Sequence, residues 1–204
     1  NNISDKKFIN RVTKGVYEFG SVFKTFTIAA GFNEKLIEPN DMFNNLEKKI
    51  KCGGRTISEY NENLSQNLSV EEILINSGNI GSVKIGQKLG IEKIRNFLNQ
   101  IGILGDIKFD ITEIGTPIPF NWGKCKLLTV SFGHGITTTL LQLAKGYAII
   151  SNGGFNITPT LVKNINSQKR KRVLSSDVSL KINQILRRVV TEGTASLADV
   201  EGYD

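Results

Sequence analysis

The stretch YEFGSVFKTFTIAAG, residues 17–31, sets a serine and a lysine three positions apart, directly after a glycine and at the head of an apolar run. From Ser21 to Ala30 the apolar positions Val22, Phe23, Phe26, Ile28, Ala29 and Ala30 predict a buried helix, closed by Gly31, with Ser21 in its first turn. At positions i and i+3 two side chains share a helix face with Cβ atoms ~5–6 Å apart, so the Lys24 nitrogen can curl back to the Ser21 hydroxyl. A serine hydroxyl is a poor nucleophile until a base takes its proton. A lysine can be that base once desolvation lowers its pKa, and Phe23, Phe26 and Ile28 supply apolar surroundings. The helix N-terminus favours a developing alkoxide at Ser21, and Gly20 lets the backbone approach closely. Spacing alone says little, because Ser4 and Lys7 repeat it in SDKK, where no apolar periodicity follows.

Outward from this helix, residues 32–66 are polar, with Asn44, Asn45, Gly53 and Gly54 as breakers, and read as loop with short elements. Ser69 and Glu72 form a capping box that opens a short helix through Glu71, Ile73, Leu74 and Ile75. It leads into NSGNIG at 76–81. The hydroxyl of Ser77 and the amide of Asn79 suit proton relay and the holding of a substrate amide, at a junction where small polar groups can line a cleft. The similar Ser65-Gln66-Asn67 precedes the capping box and reads as ordinary loop.

Two further helical patterns follow, one through Ile80, Val83, Ile85 and Leu89 and one through Ile91, Ile94, Phe97, Leu98 and Ile101, punctuated by Gly90 and Gly102. Residues 103–130 predict loops and brief strands. Thr139 to Ile150 predicts a helix apolar almost all round, hence buried, ended by Asn152-Gly153-Gly154, and an amphipathic helix follows near 177–190. No repeat and no low-complexity linker divides the chain, which reads as one helix-rich unit.

The 204 residues are 39% apolar and 22% charged, the composition of a globular segment, with a formal net charge of +7. Such a charge suits an anionic polymer, yet no nucleic-acid-binding motif accompanies it, and Lys169, Arg170, Lys171 and Arg172 read as a solvated loop. No apolar run is long enough for a membrane span. Cys52 and Cys125 lie 73 residues apart without a companion at metal-ligand spacing, which speaks against a structural metal site. Two free thiols are the default, and pairing is open in an oxidising compartment. No cofactor is expected.

NRVTKGVYEFGSVFK at 10–24, ILINSGNIG at 73–81 and SFGHGITTTLLQLAKGYAIISNGG at 131–154 together resemble the class B penicillin-binding proteins, the serine peptidoglycan D,D-transpeptidases. Serine-x-x-lysine and serine-x-asparagine are two of that family's three signature elements, here in its order. The resemblance runs from about Asn10 to Tyr203, and its opening block is most similar to the septal, cell-division branch. Phe19, Thr25, Gly78 and Leu140 depart from residues frequent in the family, and none of them is a reacting group.

The resemblance implies an α+β penicillin-binding transpeptidase fold, an antiparallel sheet flanked by helices, of which residues 1–204 form a partial domain with helix dominating. The lysine-threonine-glycine element is not among these residues, and the C-terminal strands, membrane anchor and pedestal domain are expected to be lacking, so the chain alone is expected to be inactive. Ser21 is implied as nucleophile and Lys24 as its base, with Ser77 relaying a proton and Asn79 orienting Lys24 and the substrate amide. His134, the lone histidine, is assigned a structural role or a supporting one behind the reacting groups rather than a catalytic one. The implied ligands are peptidoglycan stem peptides and β-lactams, and the implied partners are division-machinery membrane proteins and a glycosyltransferase, with no nucleic acid. The intact protein is expected on the periplasmic side of the bacterial inner membrane. The rivals are an inactive truncated product and a penicillin-recognising hydrolase or sensor.

Overall fold

Nine successive residues from Lys24 to Phe32 are buried, and a helix with no exposed face along this run can only be central. A computed structural model describes residues 8–163 and 171–202. In it α1 (Lys24–Asn33) follows a single 3-10 turn, Gly20–Phe23, and is packed by α2 (Val70–Ile75), α3 (Asn79–Gln100) and α6 (Ser176–Thr191). The core gathers Phe23, Phe26 and Ile28 from this turn and helix with Ile73, Ile80 and Ile85 from α2 and α3.

Caps fix where the other helices start. Ser69 and Glu72 form the expected capping box on α2, and Thr139 with Gln142 forms a second one on α5 (Leu140–Ser151). The Ser175 hydroxyl accepts the Val178 N–H at the start of α6. Both apolar patterns between 80 and 101 fall in α3, which is broken at Gly90, where φ is +76°.

Strand is scarce among the described residues, in three antiparallel two-stranded pairs. β1 (Val16–Tyr17), just before the opening turn, pairs with β6 (Thr138–Thr139), with Val16 opposite Thr139. β2 (Met42–Phe43) pairs with β5 (Leu68–Ser69). β3 (Lys49–Cys52) and β4 (Arg55–Ser58) form a hairpin turned by Gly53 and Gly54. The fold is α+β with helix dominating, as expected.

Four expectations are corrected. Gly31 does not close α1, which runs on to Asn33; Gly31 is where Ile37 packs so closely that a Cβ would meet its Cδ1 at 2.5 Å. Residues 124–130 form a helix, α4 (Lys124–Val130), too short for its period to stand out, and no strand forms between 103 and 130. Helix α5 is buried along one face only, through Gln142, Gly146, Ile149 and Ile150, while Leu140 and Ala144 are exposed. Cys52 and Cys125 are not free thiols but a disulfide, Cα atoms 5.4 Å apart, tying the end of β3 to the first turn of α4.

Of the basic run, Lys171 and Arg172 are exposed, Arg172 lying over the Phe155 ring at 4.1 Å; Lys169 and Arg170 lie outside the described residues. No described helix is long and apolar enough to cross a membrane.

Candidate active site

The 3-10 turn separates two side chains that are adjacent in space and opposite in environment. Ser21 is exposed, whereas Lys24, at the first position of α1, is only 1% exposed. The buried ammonium meets its hydrogen-bonding needs at one place. Lys24 Nζ donates to Ser21 Oγ at 3.1 Å, to Ser77 Oγ at 2.8 Å and to the Ser77 carbonyl. Three donors and three acceptors describe a protonated lysine fully satisfied. Loss of one proton frees a lone pair on Nζ, and the bond to Ser21 can then reverse, with the hydroxyl donating. Burial drives the Lys24 pKa down from its ordinary range to about 8, while the negative charge of Glu59 acts in the opposite direction.

Ser77 reaches Lys24 because its backbone is bent for the purpose. Its φ of +55° lies in the left-handed region that non-glycine residues rarely adopt. The Ser77 and Gly78 N–H groups donate to the Leu74 and Ile73 carbonyls, ending α2, and the chain then enters α3 at Asn79. Asn79 sits one step away from the lysine: its Nδ2 donates to the Ser58 carbonyl at 2.8 Å. The structure thus brings Ser21, Lys24 and Ser77 together, whereas the Asn79 side chain, expected to orient Lys24, is bonded to Ser58 instead.

The look-alike Ser65-Gln66-Asn67 bonds to itself and to the segment after β2, away from Lys24. Ser65 Oγ donates to the Asn67 carbonyl at 2.9 Å, and Gln66 Nε2 donates to the Leu46 carbonyl. Ser4 and Lys7 lie outside the described residues.

Two contacts support the turn that carries Ser21, and the sequence named the partner in neither. Gly20 and Gly133 have φ of +58° and +87°, and their backbones approach so closely that a Cβ on Gly133 would lie 1.8 Å from the Gly20 carbonyl oxygen. The Tyr147 hydroxyl, from α5, reaches the Val22 carbonyl at 2.8 Å and Thr25 Oγ1 at 3.0 Å. The block at 131–154 therefore supports the turn from two directions. His134 is exposed and packs its ring against Phe132 at 4.7 Å. Among the described residues no group of three or more His, Cys, Asp or Glu side chains is placed to hold a metal ion.

An exposed serine and a second serine, both bonded to one buried lysine, are the groups that acyl transfer through a serine requires. Residues 1–204 match the family model of the penicillin-binding protein transpeptidase domain. The chain belongs to this family. Within it the relatives are of the class B kind. This transpeptidase-domain chain is 30% identical over 206 residues to the probable peptidoglycan D,D-transpeptidase FtsI of Caulobacter vibrioides, covering 98% of this chain and 34% of that protein. It is also 30% identical over 212 residues to stage V sporulation protein D of Bacillus subtilis, covering 92% and 31%. Its fold superposes on the transpeptidase domain of penicillin-binding protein 3 from Burkholderia pseudomallei with a TM-score of 0.88 at 28% identity, covering 95% of this chain and 60% of that one. The transpeptidase-domain chain spans about a third of the length of these two curated relatives.

Proposed function

We propose that this chain is the Ser21-bearing part of a septal class B peptidoglycan D,D-transpeptidase working through an acyl-enzyme. The observation that carries the reading is Lys24 Nζ, buried and bonded at once to Ser21 Oγ and Ser77 Oγ. Neutral Lys24 accepts the Ser21 proton as Oγ bonds to the penultimate D-alanine carbonyl carbon of a stem peptide. The tetrahedral adduct collapses, the peptide C–N bond breaks, and the departing terminal D-alanine amine receives the proton from Lys24 by way of Ser77. An amine of a neighbouring stem peptide then attacks the ester, forms the cross-linking amide and returns the proton to Ser21. Asn79 orients the substrate amide from the start of α3. A β-lactam acylates the same serine.

In this reading residues 1–204 are one part of a transpeptidase domain, and the whole protein faces the periplasm from a membrane anchor beside division-machinery membrane proteins and a glycosyltransferase. The Cys52–Cys125 disulfide supports an oxidising compartment. The 204 residues alone are expected to acylate poorly without the family's lysine-threonine-glycine element.

The test is mass spectrometry of the gene product, extended through its downstream codons, after incubation with penicillin. One adduct on the peptide carrying Ser21, lost in Ser21→Ala, is the expected result. An adduct on another serine would overturn the assignment, and rapid release of the adduct as penicilloate would favour a hydrolase.

A further inference from the structure

Helix α3 starts without a side-chain cap of its own, because its N-cap is Gly78. The first N–H groups of a helix have no intrahelical partner and must find one elsewhere. Here the partner comes from about twenty residues upstream. Glu59, the residue after β4, accepts the Asn79 N–H through Oε2 at 2.6 Å and the Ile80 N–H through Oε1 at 2.8 Å. A carboxylate across the positive end of a helix, receiving two N–H groups, makes a strong pair of charge-assisted bonds. The preceding Ser58 carbonyl takes the Asn79 side chain, so these two residues fix Asn79 by backbone and side chain together.

Two residues before Asn79 stands Ser77, whose left-handed backbone aims both its hydroxyl and its carbonyl at Lys24. Strained conformations persist only where the surroundings over-determine them. On one side the end of α2 holds Ser77, through the bonds from Ser77 N–H and Gly78 N–H. On the other side the hold is the clamp at Ser58 and Glu59.

We propose that Glu59 is a positioning residue of the acylation site: by clamping Asn79 and Ile80 it keeps Ser77 turned onto Lys24. The proposal rests on the acylation reading above. It deepens that reading by giving the serine-x-asparagine segment an external holder in a stretch of chain that otherwise carries no chemistry. The atoms bonded to Lys24 Nζ are neutral, the hydroxyls of Ser21 and Ser77 and the Ser77 carbonyl, and Glu59 is the charged group that bears on it. Removing that charge therefore lowers the pH at which Lys24 gives up its proton.

Two readouts test this, one of them independent of catalysis. NMR titration of the 13C-labelled Lys24 side chain, assigned with Lys24→Arg, is compared in the unaltered chain, Glu59→Gln and Glu59→Asp. Glu59→Gln is expected to move the Lys24 midpoint to lower pH, and Glu59→Asp to return it toward the starting value. In the extended gene product, Glu59→Gln is expected to lower the plateau rate of penicillin acylation ~10-fold while moving its acid limb to lower pH. Thermal melts confirm that both variants fold. An unchanged Lys24 midpoint in folded Glu59→Gln overturns the proposal, as does a slower rate with an unmoved limb, which would leave Glu59 as a helix cap only. If the unaltered gene product takes no penicillin on Ser21, the acylation reading has failed, and the NMR midpoint still decides whether Glu59 acts on Lys24.

Discussion

Ser77-Gly78-Asn79 and Ser65-Gln66-Asn67 share serine and asparagine at the same spacing and differ in what satisfies them. In the second, the polar groups only tie loops together: Ser65 bonds to Asn67 in its own turn, while Asn67 accepts the Asn45 N–H and Gln66 bonds to Leu46 in the segment after β2. In the first, Ser77 spends its hydroxyl and carbonyl on a buried lysine 53 residues away in the chain, at the expense of a left-handed backbone. Polar groups that close a turn only stabilise it. Polar groups that a strained turn directs at a buried cation form a site.

Replacing each serine in turn should separate the two segments by the largest margin. Ser77→Ala is expected to slow penicillin acylation of Ser21 by ~100-fold or more, the usual range for a lost proton-transfer partner. Ser65→Ala is expected to leave that rate within about twofold, since an exposed loop bond contributes to stability alone. Stopped-flow acylation by a fluorescent penicillin measures both.

This contrast also marks what the sequence made legible. Ser21, Lys24 and Ser77 could be found because each lies next to an apolar run, and apolar runs report burial. Glu59 gave no such signal: it lies in a polar segment, and its partners are the backbone N–H groups of Asn79 and Ile80, which carry no side-chain signature. At Gly20 a close backbone approach was read but not its partner, Gly133, because a glycine marks that something comes near and not what comes near. The capping boxes at Ser69 and Thr139 are local rules, and the first was read directly. The Cys52–Cys125 pairing was unreadable because a separation of 73 residues constrains no geometry until β3 and α4 are placed. The burial of α5 was overestimated because a helix rich in leucine and alanine looks uniform in sequence, whereas its exposed Leu140 and Ala144 show which face is buried.

The support behind the turn that carries Ser21 can be tested next. Gly133→Ala places a Cβ against the Gly20 carbonyl in a backbone region that disfavours side chains. Unfolding in denaturant should show a loss of about 2–4 kcal/mol, and acylation should fall because the displaced backbone carries Ser21. Normal stability with normal acylation would show that the turn can move without consequence.

A smaller effect on the rate is expected from the disulfide. Replacing Cys52 and Cys125 together by serine should cost about 2–4 kcal/mol of stability, seen as a lower urea midpoint. The hairpin that leads to Ser58 and Glu59 stays paired through its own register, Lys49 opposite Ser58 and Ile50 opposite Ile57, so acylation should slow by less than about tenfold. A collapse of the rate at unchanged stability would place the cystine in the site rather than behind it.

The central claim is that Lys24, neutral, is the base for Ser21, and the pH dependence of acylation tests it most directly. Burial depresses the lysine's pKa to about 8, so protonated Lys24 predominates below that pH and the neutral base above it. The second-order rate constant for penicillin acylation of Ser21 should therefore rise about tenfold per pH unit below about 8 and level off above it. A rate constant flat from pH 6 to 9, in a protein that still takes its adduct on Ser21, would contradict Lys24 as the base.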